Sequence, residues 1–527
     1  MTQAPLIGFE IHDASLWEPS RVLPFIEVME RWGYNALVLH QNDLLDACTQ
    51  LGLTANYGVS DLRLKKVRNN AAWLNRLVER LAESGAKLFL EIKEPSFHDY
   101  ALEFYPGLIG SGGFPDPTRE DWTDLCRAKV SDLLARVPGI GGLIVNLSSP
   151  ESRVSLPDHL AVHAPDLEPV AWFDRMIRAF YGPLSEAGKQ LCIRDFSYTP
   201  GMQSDVLAAV ERYGGQVGAS VKITAHDYFP EAPENPVIRS GAGPVVLEFE
   251  AFGEHTGWGV IPNCRVAELR ERMAGFREIG AAGMLVRTSW EAITGANALD
   301  GLSAVNVYAL PRLIASDVDA DELVRDWLRE AHGIEGDTAE EVADLLLRSW
   351  QIPAAAYWNG KVFPRHSCLP SKWQEGWLSM ATTGMGRRDR DLRIAPDDPE
   401  LSEQARRALF AAKEEATALA HELAAAAGGI ASKVPESLAR QLEGFAWLPY
   451  FAGQFELASK AAFYAARGQA EDLERLPALC SGLSDLADEI ARALDAVPDL
   501  PHHHRVLLDP DQIRLFVKSL ATPDGTG

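Results

Sequence analysis

A chain of 527 residues with 46% hydrophobic and 24% charged residues has an ordinary globular composition and enough length for one large domain plus at least one more. Its 74 acids against 50 Lys and Arg give a formal net charge of -24, which argues against nucleic acid and an anionic membrane as partners; a small anionic substrate requires a local group of cations that outweighs the global field. The six cysteines (Cys48, Cys126, Cys192, Cys264, Cys368, Cys480) are scattered without a CxxC, so neither a zinc ribbon nor a disulfide framework is indicated.

The N-terminal MTQAPLIGFEIHD has no basic segment leading into an apolar one, and no run approaches about 18 uninterrupted apolar residues, so a soluble cytoplasmic protein is expected. From there short apolar runs alternate with amphipathic segments. The predicted strands are residues 5–11, 35–40, 86–92, 141–147, 190–196, 218–223, 244–250 and 281–288. Helical periodicity covers 20–33, 70–85, 121–137, 169–188, 204–215 and 266–280, and several of these segments close on Gly, as helix C-termini prefer. The connection after the sixth strand is the least helical. Eight strands alternating with helices predict a (β/α)8 TIM barrel over 1–315, whose chemistry belongs in the loops after the strand C-termini.

In that register the polar residues at strand ends fall into a pattern. They are Glu10 and His12, His40, Glu94, Glu151, Arg194 and Asp195, Lys222 with His226 and Asp227, Glu248 to Glu254, and Arg287. A barrel mouth rich in carboxylates, with a few cations, is the expected site. Along VVLEFEAFGEHTG (245–257), alternation puts Glu248 and Glu250 on one face of the strand and leaves Glu254 in the following loop.

Beyond residue 315 the texture changes to amphipathic and Ala-rich helices, among them 402–429, which predicts an α-helical C-terminal domain over 316–527. Within it, 350–393 reads as an irregular, Trp-rich loop that lines the mouth or a subunit contact, or else anchors under the barrel. The long helices offer a surface for a homodimer. PHHHR (501–505) is too short to be taken as a metal site.

The loop motifs resemble glycoside hydrolase family 67, the α-glucuronidases that remove glucuronic acid from xylan-derived oligosaccharides. The likeness rests on GGLIVNLSSPES, CIRDFSY, VKITAHDYFPEAPENP and LEFEAFGEHTG, with LSAVNVYALPRL similar to the helix that closes that family's barrel. It covers roughly residues 1–335. The first strand starts at residue 5, where the family carries an additional β-rich domain, so a relative lacking that domain is implied.

Carried over residue by residue, the resemblance implies Glu151 as general acid, across a one-residue gap at Ser149 or Pro150. It implies Asp227 and Glu254, 27 residues apart, as the two acids that activate water. Lys222 and Arg194 match basic residues around the uronate, and Asn146 stands where the family has a lysine. His226, His40 and Arg287 complete the expected substrate-binding set, with no cofactor and no metal expected. Glu248 matches a position that is not the base, and Glu250 is expected to point into the barrel as support.

Glycosidic cleavage needs one carboxyl group protonated near neutral pH to assist the leaving oxygen and one carboxylate to direct water at the anomeric carbon. Burial after an apolar strand would keep Glu151 protonated, and nearby cations would keep Asp227 and Glu254 ionised. The expected function is therefore exo-acting, inverting removal of a terminal sugar, an α-linked glucuronic acid or related uronate, from an oligosaccharide. Two alternatives use the same residues differently. His226-Asp227 and Glu254-His255 also suit a divalent metal in a barrel isomerase or lyase, and the Asn146 departure also fits a carbohydrate-binding barrel that has lost activity.

Overall fold

The computed structural model describes residues 5–521 apart from 51–60, 98–100, 103–104, 150–151, 153, 155–166, 198–199, 225–226, 231, 233, 240–244, 358–366 and 374–402. Eight parallel strands close in sequence order into a barrel: β1 (Leu6–Ile11), β2 (Ala36–His40), β3 (Lys87–Lys93), β4 (Gly142–Asn146), β5 (Gln190–Arg194), β6 (Gly218–Lys222), β7 (Val245–Glu250) and β8 (Gly283–Arg287). Every boundary lies within two residues of the sequence expectation. The expected crossover helices are present as Pro19–Trp32, Asp61–Ala82, Asp121–Arg136, Pro169–Glu186, Pro200–Glu211 and Val266–Glu278. Between β6 and β7 the described residues hold only the 3-10 turn Pro236–Arg239. The protein is a (β/α)8 barrel followed by a helical region. No helix among the described residues is long and apolar enough to cross a membrane.

Alternation along each strand sorts the barrel interior into tiers. Leu6, Ala36, Val38, Phe89, Ile144, Cys192, Val246 and Leu285 pack into one apolar cluster. The packing is close enough that a Cβ on Gly8 would lie 2.7 Å from Leu285 Cδ2, so a side chain there would push Leu285 aside. Further along the strands, on the same face, stand Glu10, His40, Glu91, Asn146, Arg194, Ser220, Glu248 and Arg287, all buried. The apolar tier drives closure of the barrel by removing area from water. The polar tier is costly unless its members satisfy one another, so it is the part of the interior whose composition calls for a functional reason.

The chain forms two compact units that are not consecutive in sequence. The first comprises Met1–His226, Pro233–Phe249 and Phe276–Gly295, and the second Asp227–Ala232, Glu250–Gly275 and Ala296–Gly527. The second unit therefore includes loop segments that follow β6 and β7 as well as the helices Ala304–Ala315, Ala320–His332, Gly336–Ser349, Glu403–Ile430, Leu448–Arg467, Leu476–Asp495 and Pro510–Leu520. One expectation needs correction: residues 351–357, read as the start of an irregular loop, form the helix Gln351–Tyr357. Its QIPAAAY places the proline in the first turn, where a missing N–H costs nothing. Most of 358–393 lies outside the described residues.

Candidate active site

In the first unit the polar tier is a connected network of charges. His40 Nδ1 lies 2.8 Å from Glu10 Oε1 and 3.2 Å from Glu91 Oε1, so this nitrogen faces both carboxyl groups. Arg194 Nε sits 3.0 Å from Glu91 Oε1 and 2.9 Å from Glu248 Oε2, and Ser220 Oγ donates to Glu248 Oε1 at 2.6 Å. Arg287 Nε is 3.3 Å from Glu10 Oε1. Burial pushes the Glu91 carboxyl well above the usual range, and Glu10 adds to this against the pull of Arg194. At Glu248 burial acts the same way, yet Arg194, the Ser220 hydrogen bond, Lys222 and Arg287 outweigh it and hold the carboxyl below its ordinary value. Burial, with the positive charges around it, keeps His40 neutral.

His12 stacks on His40 with ring centroids 3.6 Å apart and reaches Glu291 at 2.5 Å. Closer to the strand ends, Lys93 and Lys222, both nearly buried, lie over the ring of Phe196 at 5.7 and 4.1 Å, and the Arg194 guanidinium approaches the same ring at 5.4 Å. Sequence reasoning missed Lys93, Glu91 and Phe196. The alternation in KLFLEIK was the available signal: charges at Glu91 and Lys93 share the face of Phe89 in an otherwise apolar strand.

The second unit holds a constellation of its own. His255 Nε2 lies 3.4 Å from Asp227 Oδ2 and 3.4 Å from Glu254 Oε1, and all three residues are buried. Burial works against a charged imidazole here, but Glu254, Asp227 and Glu250 outweigh it and raise the His255 pKa above the ordinary value. An imidazolium between two carboxylates lets both stay ionised at close quarters. One donor atom from each of Asp227, Glu254 and His255 falls within a mutual distance of 4.8 Å, so the same three groups could also hold a metal ion.

The loop that presents Glu254 and His255 is tightly specified. Gly253, Gly257, Trp258 and Gly259 all have positive φ. A Cβ on Gly257 would meet Ile261 Cγ1 at 2.4 Å, so both φ and space demand glycine. Trp258 takes a left-handed conformation without being glycine, a strain of about 1–2 kcal/mol that the surroundings must hold. Glu250 accepts from Gly253 N at 2.6 Å, bracing the turn from its own strand end. Ser367 donates to Glu254 O at 2.9 Å and accepts from Gly257 N at 2.8 Å. Ser349 Oγ and Asn306 Oδ1 accept from Cys264 N and Arg265 N.

Other expected residues fare differently. Glu151 and His226 lie outside the described residues. Glu94 turns away from the polar tier: Lys129 Nζ donates to its two oxygens at 2.7 and 3.0 Å, from helix Asp121–Arg136. Asp195 is bound by Ser197, Gln203 and Ser148. These two acids are fixed by local packing, so not every polar strand end serves the mouth. A cavity of about 730 Å³ opens at the other end of the strands, lined by Leu6, Phe89, Gln190, Cys192 and Val246; it holds no acid and sits where barrels of this kind carry no chemistry.

No family model and no curated protein matches the chain. Among solved structures it is similar to one described as a GH138 enzyme targeting pectin rhamnogalacturonan II, with a TM-score of 0.65 and 12% identity, covering 96% of this chain and 65% of that one. The chain thus spans just under two thirds of that structure's length. A β-N-acetylhexosaminidase from Bacteroides fragilis aligns with a TM-score of 0.41 and 12% identity over 62% of this chain and 70% of that one. At such identity the first likeness establishes a shared fold.

Proposed function

We propose that the protein is an exo-acting glycoside hydrolase that removes a terminal sugar, an α-linked glucuronic acid or related uronate, from oligosaccharides with inversion. The observation that carries this reading is the buried pair of carboxylates, Asp227 and Glu254, each 3.4 Å from the His255 imidazole. They follow β6 and β7, at the strand ends where barrel enzymes hold their reacting groups. Glu151, after β4, takes the part of the general acid, protonating the leaving oxygen, while Asp227 and Glu254 orient and deprotonate the attacking water. Asp227 stands five positions after Lys222, so the chain itself keeps the two within about 18 Å. The fold neighbour that targets pectin rhamnogalacturonan II acts on a polysaccharide, and the proposal places this chain in the same broad substrate class.

The test is a screen of aryl glycosides and uronic-acid oligosaccharides, followed by Asp227→Asn and Glu254→Gln on whichever substrate turns over. Each variant is expected to lose at least about a hundredfold in kcat while keeping the wild-type fold. Near-wild-type turnover in both would refute the carboxylate assignment.

A second reading is supported by the donor set Asp227, Glu254 and His255, within 4.8 Å of one another. Imidazole with two carboxylates suits Mn, Zn or Fe, in a barrel isomerase or lyase acting on sugars. Chelation separates the two readings: the hydrolase keeps its activity after dialysis against EDTA, whereas the metalloenzyme loses it and regains it with added Mn or Zn.

A further inference from the structure

The cavity of about 730 Å³ at the strand N-termini exists because one layer of the barrel interior is not filled. Barrels of this class are packed by stacked layers of inward-facing side chains. Counting back by twos from the polar tier, the inward-facing positions at the strand starts are glycine on three strands, Gly142, Gly218 and Gly283, and alanine on a fourth, Ala36. Two of these glycines cannot be replaced without moving backbone: a Cβ on Gly142 would lie 2.2 Å from Gln190 O, and one on Gly283 would lie 2.1 Å from Leu6 O. No side chain closes the layer from these strands, so Leu6, Phe89, Cys192 and Val246 form an apolar floor open to the outside.

The rim carries charge of one sign. Lys87 and Lys189 are the charged residues that line the cavity, and no carboxylate joins them. Neither lysine is in an ion pair among the described residues. In a chain of net charge -24, an acid-free cavity with two lysines departs from its surroundings. Gln216 on the same rim accepts from Tyr181 OH with its Oε1, which leaves its Nε2 to donate. The volume falls in the range of about 300–1,000 Å³ that small-molecule sites occupy. Water over an apolar floor lacks the polar partners that hold it, so a ligand that displaces it gains.

We propose that this cavity is a second, non-catalytic ligand site, and that its ligand is a small amphiphilic organic anion, with an apolar ring or chain over Phe89, Cys192 and Val246 and an acid group between Lys87 and Lys189. A neutral sugar would set hydroxyl groups against the apolar floor and leave both ammonium groups unanswered. Inorganic phosphate would answer the charge and leave the floor uncovered. The assignment does not depend on the glycosidase reading: every lining residue belongs to the first compact unit, at the strand ends opposite to those that carry the polar tier.

The experiment is a fluorescence titration of the full chain with 1-anilinonaphthalene-8-sulfonate and with N-phenyl-1-naphthylamine, which has the same rings without the acid group. Circular dichroism and urea unfolding serve as folding controls. A charge-assisted hydrogen bond corresponds to roughly tenfold or more in affinity. The wild type is expected to bind a single sulfonate probe saturably, at least about tenfold tighter than the uncharged one. The double variant Lys87→Gln with Lys189→Gln should lose that preference and keep its affinity for the uncharged probe. Ala281→Trp, which sets an indole on the cavity lining, should weaken both probes; if it fails to fold, the lysine variant decides alone. Equal affinity of the wild type for the two probes, or sulfonate binding unchanged in the lysine variant, would overturn the proposal. Displacement of the sulfonate probe by equimolar inorganic phosphate would mark a plain anion site and overturn it as well. A probe signal that falls as protein concentration rises, with a dimer seen in sedimentation, would give the cavity to a second copy of the chain instead.

Discussion

Replacing Arg194 with methionine removes the guanidinium whose Nε lies 2.9 Å from Glu248 Oε2 and 3.0 Å from Glu91 Oε1, in a site where all three side chains are almost fully buried. At an effective dielectric constant of about 20, the contact with the ionised Glu248 is worth roughly 5–6 kcal/mol of Coulomb attraction before desolvation is counted, and Glu91, whose carboxyl burial pushes well above the usual range, adds less. What the variant loses is smaller, because removing the cation also removes its own desolvation cost. Breaking a buried pair by deleting one partner typically costs about 3–5 kcal/mol, most of it from the charges left behind. The expected loss in urea unfolding near neutral pH is therefore about 3–5 kcal/mol.

The pH dependence of that loss identifies its origin. Glu248 has its carboxyl held below the ordinary range, so the stability it contributes is present above the unfolded carboxylate pKa and lost as pH falls through the folded value. Without Arg194 the buried carboxylate is penalised only while ionised, so the cost of Arg194→Met should shrink as pH falls toward about 4. Adding Glu248→Gln to Arg194→Met should restore a large part of the loss, since the orphaned charge is gone. A penalty that stays flat across that range, or a double variant no more stable than the single one, would refute the argument that this tier is held by mutual neutralisation.

Three other outcomes follow, two from the geometry and one from the role proposed for Glu151. His255 has a raised pKa in the folded state, so its contribution is complete below about pH 6.5 and lost as pH rises through the folded value; His255→Gln should flatten the alkaline side of the stability profile measured by urea unfolding. Gly257→Ala combines φ +106 with a Cβ 2.4 Å from Ile261 and should cost about 2–4 kcal/mol, whereas Gly333→Ala, at φ +68 with open space around it, should cost about 1 kcal/mol, both read by thermal or urea unfolding. Glu151→Gln should slow substrates with poor leaving groups far more than activated aryl glycosides, with NMR of the first-formed product showing inverted configuration; equal losses on both substrate classes, or a retained product, would remove Glu151 from the acid role.

The barrel was legible because its signal is local and repeated. Each strand is a short apolar run bounded by turn residues, and six of the seven connections between strands carry their own helical period, so the tally of eight needed no long-range information. Around Glu254 the sequence placed the residue in the loop after its strand, but the left-handed turn at Gly253, Gly257, Trp258 and Gly259 that presents it was not read. Glu94 shows why the rest was hidden. Its fate depends on Lys129, 35 residues later on another element, and nothing within its own segment reveals that partner. Lys93 was hidden for the opposite reason: it is the last residue of a strand, and one residue of uncertainty in a boundary sends its side chain to the other face.

The backbone around Glu254 bears on what the helical region is for. A turn with positive φ at Gly253, Gly257, Trp258 and Gly259 stores conformational cost that its own few residues cannot offset. The groups that hold it come from far along the chain: Ser367 caps both Glu254 O and Gly257 N, Ser349 takes the N–H of Cys264, and Asn306 takes that of Arg265 while donating to Asn263 O at 2.9 Å. Each is a side chain satisfying a loop backbone group that would otherwise be buried unpaired, and each belongs to the same compact unit as the loop. If Glu254 directs water, as proposed above, it has to be held to within a fraction of an ångström, and loops alone seldom achieve that. The helical region is therefore best understood as the scaffold of the Glu254 loop, which explains why that loop groups with residues 296–527 when its flanking strand groups with the barrel.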